Sequence, residues 1–253
     1  MEPLVSIITP AYNSEKFIEE TIKSVIEQTY NNWEMIIVDD CSTDKTCEIV
    51  GKWALRDKRI KLIKKNKNSG AANSRNIALE NSRGRFIAYL DADDLWFPNK
   101  LSKQIKFMID KNCGFSCCSY EVIDSYGNSK NKFIKMKDKV DYMGFLTNNL
   151  LQTVGIMADL EVIERDKLVM PNMRRRQDAA TWLQILKSGN MCYGMKDVLA
   201  KYRRVKGSLS SNKVKAANGV WYLYREVEGL NLFTSSYCFI RYATLAVWKR
   251  IYI

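Results

Sequence analysis

Apolar residues fall into two kinds of run along this chain. The short, nearly unbroken ones read as strands: Leu4-Val5-Ser6-Ile7-Ile8-Thr9, Trp33 to Val38, Ile60 to Ile63, and Phe86-Ile87-Ala88-Tyr89-Leu90. Five consecutive apolar positions, as in 86–90, suit a strand buried on both faces. Between these runs, apolar residues recur at helical spacing. Phe17, Ile18, Ile22, Val25 and Ile26 predict a helix reaching about Thr29, with Ser14 as its N-cap. Cys47, Val50 and Ala54 form a stripe on a second helix begun by Ser42-Thr43-Asp44, and 71–81 predicts a third. Pro10 is expected to stop the first strand. Four strands separated by three helical stretches predict βαβ units and an α/β fold with a parallel sheet.

The second half is less regular. Leu101, Ile105, Met108 and Ile109 predict an amphipathic helix, Phe115 to Ile123 a strand, and Ser125-Tyr126-Gly127-Asn128 a turn. The lysine-rich run 130–139 reads as a solvated loop or an edge strand, 141–148 as a short helix and 153–158 as a strand. A helix near Asp178 has Trp182, Leu183 and Leu186 on its apolar side. From Val214 onward the chain reads as helical, in two pieces broken near Gly229. In the last piece Phe233, Tyr237, Ile240, Thr244, Val247 and Ile251 recur at alternating spacings of four and three. Arg241 interrupts the segment, so no run approaches the length of a membrane-spanning helix. Such a helix suits an anionic membrane surface, or docking on the preceding domain or a second subunit.

Composition narrows the chemistry. Forty Lys and Arg against 28 Asp and Glu give a net charge of +12 over 253 residues. That favours an anionic partner: nucleic acid, a phosphorylated substrate or an acidic membrane surface. The chain has no histidine, which excludes Ser-His-Asp and Cys-His nucleophile systems, HExxH zinc hydrolysis and Cys₂His₂ fingers. A general base must then be a carboxylate or, less naturally, Lys, Tyr or Cys. Seven cysteines, an odd number with no paired C-x-x-C and no signal peptide, point to a reducing cytosol.

In parallel sheets ligands bind beyond the carboxyl ends of the strands. Those ends carry Pro10-Ala11-Tyr12, Asp39-Asp40 and Asp91-Ala92-Asp93-Asp94, joined by Gly70 and Arg75 from the intervening loop and helix. Three carboxylates within four positions repel one another in a shielded mouth unless a cation compensates. Asp91 and Asp93, two apart, can face a common point. Their hard oxygens suit Mg²⁺ or Mn²⁺, which keeps waters and binds phosphates. Structural readings compete residue by residue: Asp93 and Asp94 as caps, Tyr12 packed on the first helix, Asp39 in an Asx turn, Arg75 on a solvated face. None of these accounts for the convergence on one side of the sheet. No G-x-G-x-x-G and no G-x-x-x-x-G-K-[ST] is present, and Pro10 stands where a phosphate-accepting aspartate belongs. What remains is a nucleotide whose base stacks near Tyr12, is hydrogen-bonded by Asp39, and has its diphosphate held by a metal at Asp93.

Val5-Ser6-Ile7-Ile8-Thr9-Pro10-Ala11-Tyr12-Asn13, Ile36-Ile37-Val38-Asp39-Asp40-Cys41-Ser42-Thr43-Asp44, Ser69-Gly70-Ala71-Ala72-Asn73-Ser74-Arg75-Asn76 and Leu90-Asp91-Ala92-Asp93-Asp94 together resemble family 2 glycosyltransferases. These are inverting enzymes of the GT-A fold, among them the teichuronic-acid and capsule-type transferases of bacteria. The four motifs lie in order within the first hundred residues. The resemblance implies a GT-A-like, Rossmann-related, mostly parallel sheet flanked by helices, with a C-terminal helical extension. Residues 1–211 would form the transferase domain (1–100 nucleotide-binding, 101–211 acceptor-binding) and 212–253 the extension. Carried over, Thr9, Pro10, Ala11 and Tyr12 line the base and ribose pocket, and Asp39 accepts from the uracil N3–H. Gly70 and Arg75 lie near the nucleotide, Asp91 and Ala92 near ribose, and Asp93 binds metal and diphosphate.

Met173-Arg174-Arg175-Arg176-Gln177-Asp178 precedes the helix with Trp182. A carboxylate in a helix's first turn is favoured by the dipole whether or not it works as a base. The resemblance implies that Asp178 is the catalytic carboxylate, with Gln177 where the family more usually has Glu. It would take a proton from an acceptor hydroxyl attacking the sugar C1 from the far face, so an α-linked donor gives a β-linked product. Arg203, Arg204, Ser208 and Ser210 are expected in a loop closing over the diphosphate. The implied ligands are a UDP-sugar, Mn²⁺ or Mg²⁺, and a glycan or lipid-linked glycan acceptor. The implied place is the cytoplasm, or the inner face of the membrane through 231–253; oligomerisation stays open. Two rivals remain. A nucleic-acid or anionic-surface binder would need basic residues grouped with stacking aromatics, whereas the lysines here are dispersed. A pyrophosphorylase-like enzyme would need a glycine-rich first loop, and Pro10-Ala11-Tyr12 occupies that place.

Overall fold

Successive side chains of a strand point to opposite faces, and the first strand is apolar on both: Ile7 belongs to one core and Ile8 to the other. The computed structural model describes residues 2–148, 150–173, 175–205 and 213–251. Its first half is β1 (Val5–Ala11), α1 (Ile18–Ile26), β2 (Trp33–Asp39), α2 (Thr46–Arg56), β3 (Ile60–Lys64), α3 (Ala71–Glu80) and β4 (Phe86–Tyr89). These four strands are parallel, in the order β3-β2-β1-β4. The chain therefore reverses its direction of travel across the sheet between β1 and β4, which opens a crevice at their carboxyl ends.

The second half extends the sheet. It contributes β5 (Leu95–Trp96), α4 (Lys100–Lys111), β6 (Phe115–Ile123), β7 (Ser129–Ile134), β8 (Lys139–Val140), α5 (Tyr142–Thr147), β9 (Ile156–Asp159), α6 (Gln177–Lys187) and β10 (Cys192–Arg203). The ten-stranded sheet runs β3-β2-β1-β4-β9-β6-β10-β5, with β7 on β6 and β8 on β10. Antiparallel pairing enters at β9, against both β4 and β6, so the sheet as a whole is mixed. Helices α1, α2 and α4 cover one face and α3 and α6 the other, with α5 and the C-terminal helices behind α6. Those C-terminal helices are α7 (Lys213–Tyr222), a π-helical stretch Leu223–Val227 and α8 (Leu232–Ile251), broken at Gly229 as the periodicity predicts.

Local differences from the sequence reading have physical causes. Pro10 does not stop β1, which continues to Ala11. Pairing with β4 ends at Ile8, so the absent Pro10 N–H faces no partner strand. Ser14 caps α1 through its backbone carbonyl, which accepts from Phe17 and Ile18 amides, and not through its hydroxyl. The lysine-rich run forms edge strand β7, and 153–155 tightens into a 3₁₀ turn before β9. The twelve-residue β10 lacks clean alternation because two register shifts interrupt its pairing with β6.

Candidate functional site

The loops after β1 and β2 are laced together. The Asn13 amide donates to the Ser42 hydroxyl (3.0 Å), the Thr43 amide donates to Asn13 Oδ1 (2.9 Å), and the Glu15 amide donates to Asp44 Oδ2 (3.0 Å). This lacing holds Tyr12 half exposed, at 51%, over the crevice. Ala11 pairs with Asp39, so Thr9, Pro10, Ala11 and Asp39 lie side by side. Asp39 is buried; its Oδ2 accepts from the Ser42 amide (3.1 Å) while Oδ1 has no partner. Thr9 is buried with an unpartnered hydroxyl as well. Unmet buried acceptors are costly, so a ligand amide at Asp39 would satisfy a real deficit.

Asp40 works on the next loop. Its carboxylate accepts from the Lys65 ammonium (2.5 Å) and from the Ser69 and Gly70 amides (2.9 and 2.7 Å). Gly70, at φ 88, starts α3 in a conformation that disfavours other residues. That start aims Arg75, only 6% exposed, at the acidic turn. Its Nη2 donates to Asp91 Oδ1 at 2.5 Å, and its Nε has no partner. Burial works against the guanidinium's charge, but Asp91 and then Asp178 hold it firmly protonated. One cation therefore lies under the field of two carboxylates that are far apart in sequence.

The acidic turn itself is braced from beneath. The Thr21 hydroxyl on α1 lies 3.0 and 2.9 Å from the Ala92 and Asp94 carbonyls. Arg203 closes the other side: its amide donates to Asp94 Oδ1 (2.8 Å), its Nε to the Asp93 carbonyl (2.7 Å), and its Nη2 to Glu20 (2.5 Å). Arg203 is thus a buried strand-end brace and not part of a mobile loop as expected. Arg204, beside it, is exposed and donates its amide to Ile123 O (2.9 Å). Ser208 and Ser210 lie outside the described residues, as does Arg174. Burial and then the Asp91 charge push Asp93 up to about 6, and burial with the Asp93 charge raises Asp94 well above the usual carboxylate value.

Asp178 sits in the first turn of α6 and accepts from the Thr153 hydroxyl at 3.4 Å. Trp182, one turn further on and fully buried, packs edge-on against Tyr89 of β4 (5.2 Å) and against Phe115 of β6 (5.6 Å). This clamps the helix that carries Asp178 to the strand that ends in the acidic turn. The segment leading to α6 is fixed by a reciprocal pair, Asn76 Nδ2 to Met170 O and Met170 N to Asn76 Oδ1, both 2.8 Å.

A family model described as glycosyl transferase family 2 matches residues 6–202. The chain belongs to this family. The putative teichuronic acid biosynthesis glycosyltransferase TuaG of Bacillus subtilis is 46% identical over 250 residues, covering 99% of this chain and 98% of that protein. The Escherichia coli enzyme WfgD, named a UDP-Glc:alpha-D-GlcNAc-diphosphoundecaprenol beta-1,3-glucosyltransferase, is 40% identical over 222 residues, covering 86% and 84%. Among solved structures, S. aureus TarS 1-349 with UDP-GlcNAc superposes with a TM-score of 0.73 at 20% identity, over 94% of this chain and 71% of that one. The mannosyltransferase PcManGT of Pyrobaculum calidifontis, with GDP-Man and Mn²⁺, gives 0.73 at 22% identity, over 95% and 69%. These neighbours share the GT-A fold, and the protein is a glycosyltransferase.

The family 2 site fits a cation shared with its substrate. Among the described residues no three His, Cys, Asp or Glu side chains form a metal cage. Asp91 is tied to Arg75 and the buried Asp94 to the Arg203 amide, and burial and the Asp91 charge raise Asp93 beside them, a cost that a cation would offset. A small hard cation that keeps waters and takes a diphosphate as co-ligand suits that donor set. Sequence reasoning did not find the bracing contacts of Asp40, Thr21 or Arg203, and it gave Arg203 a different role, in a loop over the diphosphate. Thr21 did leave a trace, a polar residue beside Ile22 on the inward side of a helix. Arg203 left none, because its partners Asp93 and Asp94 lie 110 and 109 positions away.

Proposed function

We propose that this enzyme moves a sugar from a UDP-sugar to a hydroxyl of a glycan or lipid-linked glycan, with inversion at C1, in the assembly of a bacterial surface polysaccharide. The observation that carries this reading is the single crevice. In it Asp39, with its unpartnered Oδ1, pairs with Ala11 next to Tyr12, and Arg75 answers to both Asp91 and Asp178. Tyr12 offers its ring to the base, and Asp39 accepts the uracil N3–H. Thr9, Pro10, Ala11 and Gly70 shape the floor and side of that pocket, and Asp91 and Ala92 border the ribose. Arg75 holds the Asp91 carboxylate in place. A divalent cation at Asp93, Mn²⁺ or Mg²⁺, supplies positive charge to the departing diphosphate.

Asp178 is the general base. It removes the acceptor proton as that hydroxyl attacks C1 on the face opposite the diphosphate, which needs no covalent intermediate. The named activities of TuaG and WfgD support a cell-envelope acceptor, and WfgD's diphosphoundecaprenol supports a lipid-linked one. Such an acceptor is met at the inner face of the membrane, with 1–211 as the catalytic unit and 212–253 as an appended helical segment. Calorimetry with UDP and Mn²⁺, alongside a transfer assay, tests the assignment. Asp178→Asn should keep UDP affinity and lose transfer by about 10²–10⁴-fold. Asp93→Ala should lose Mn²⁺-dependent UDP binding. Transfer at the parental rate by Asp178→Asn would remove the base.

A further inference from the structure

Over residues 232–245, α8 carries large apolar side chains on its outward side as well as on the side it packs with. Ser235 and Cys238 are fully buried, and Phe239 and Tyr242 rest on the core beneath. Phe233, Tyr237 and Ile240 point away from the protein, 89%, 54% and 63% exposed, with Leu232 beside them. Their spacing of four and three places them on one face. A surface helix ordinarily keeps its outward side polar, and a contiguous apolar face of this kind marks an interaction surface.

Charge selects the partner. From Gly229 to its end the sequence contains no Asp or Glu, and it carries Arg241, Lys249 and Arg250. Arg241 is exposed, with Nη1 3.3 Å from the Tyr237 hydroxyl, so a cation sits within the apolar face. Aromatic side chains interleaved with cations and free of carboxylates complement an anionic bilayer. No helix among the described residues is long and apolar enough to cross a membrane, so the contact lies along the surface.

We propose that the face formed by Phe233, Tyr237, Ile240 and Arg241 docks the enzyme on an anionic lipid bilayer. The proposal deepens, and rests on, the reading of a lipid-linked acceptor. On the inner side of the same helix, the Tyr242 hydroxyl accepts from Arg176 Nη2 at 3.1 Å. Arg176 stands two residues before Asp178, in a left-handed backbone (φ 62) that only firm surroundings maintain. The helix that would rest on the bilayer is thus tied, through Tyr242 and Arg176, to the turn that starts α6. A hydroxyl carried on a membrane lipid is thereby presented on the side of the proposed base.

Co-sedimentation of the full chain with phosphatidylcholine vesicles, with and without phosphatidylglycerol, tests this. The expected result is binding to the anionic vesicles that weakens with added salt. It should fall about tenfold or more in a variant combining Phe233→Ser, Tyr237→Ser and Ile240→Ser, and fall again with Arg241→Glu. All four side chains are exposed, so UDP affinity and melting temperature should stay at the parental values in these variants. Equal vesicle binding by the triple variant, or no binding by the parent, overturns the proposal. A parental dimer that the triple variant dissolves, with no vesicle binding by either, also overturns it and assigns the face to a second copy. UDP titration of the same samples separates the two readings: vesicle binding without UDP affinity supports docking and removes the UDP-sugar donor.

Discussion

The Asp40 carboxylate gathers one ammonium and two amides in a buried setting. Asp40→Ala would strand Lys65 and unfasten the Ser69-Gly70 turn. The expected cost is about 3–5 kcal/mol in urea unfolding, with UDP affinity weakened because α3 no longer aims Arg75. Lys100 poses the opposite case. It is fully buried, its ammonium has no hydrogen-bond acceptor, and it lies 3.8 Å from the centroid of the Trp96 ring. Burial lowers it to about 8, against a small opposing effect of Cys118 and Cys117. The folded state thus binds fewer protons than the unfolded one between about pH 8 and 10.5, and this group's contribution to stability rises with pH across that window. Below it the full penalty is present. Lys100→Met should therefore be more stable than the parent at pH 7 by about 1–3 kcal/mol. The gap between the two should close as pH rises toward 10.5 in paired denaturation curves.

At the scale of elements, α6 carries the proposed base, and Trp182 packs that helix against β4 and β6. Its ring fills the space between Tyr89 and Phe115, so Trp182→Ala should cost about 3–5 kcal/mol through the cavity it leaves. Because the helix carries Asp178 while the nucleotide crevice is built from β1, β2 and β4, transfer should fall more than UDP affinity does. Steady-state rates compared with UDP titrations would show the split, and an equal loss in both would remove the clamp role. The first four strands were legible because each is a short apolar run between turn-forming residues, and β6 was read to its bounds for the same reason. β10 was not legible, since its two register shifts break the alternation that identifies a strand. The stripe on α8 was visible as a periodicity, but a period does not say which way its face points.

For the whole molecule, the test is linkage between ligand and fold. If the crevice holds UDP through a shared cation, UDP at about a hundred times its dissociation constant should add roughly 3 kcal/mol and raise the melting temperature by about 5–10 °C. Omitting Mn²⁺ or adding a chelator should remove most of that shift, and a shift indifferent to metal would detach Asp93 from the diphosphate. The net charge of +12 first suggested nucleic acid as one partner among three. The protein belongs to a transferase family, and the uses proposed for that charge are a diphosphate in the crevice and, on α8, an anionic bilayer.

The sequence by itself determined the α/β class, the family and the chain of motifs at the strand ends, because these depend on local runs and on residues a few positions apart. It carried the acidic turn, the Asp39-Asp40 pair and Arg75 in full view. Only the tertiary structure decided that Arg203 and Thr21 brace that turn, that Arg75 lies under both Asp91 and Asp178, and that Phe233, Tyr237 and Ile240 face outward. Each of those is a contact, or the lack of one, between segments tens to more than a hundred residues apart, and no local periodicity records it.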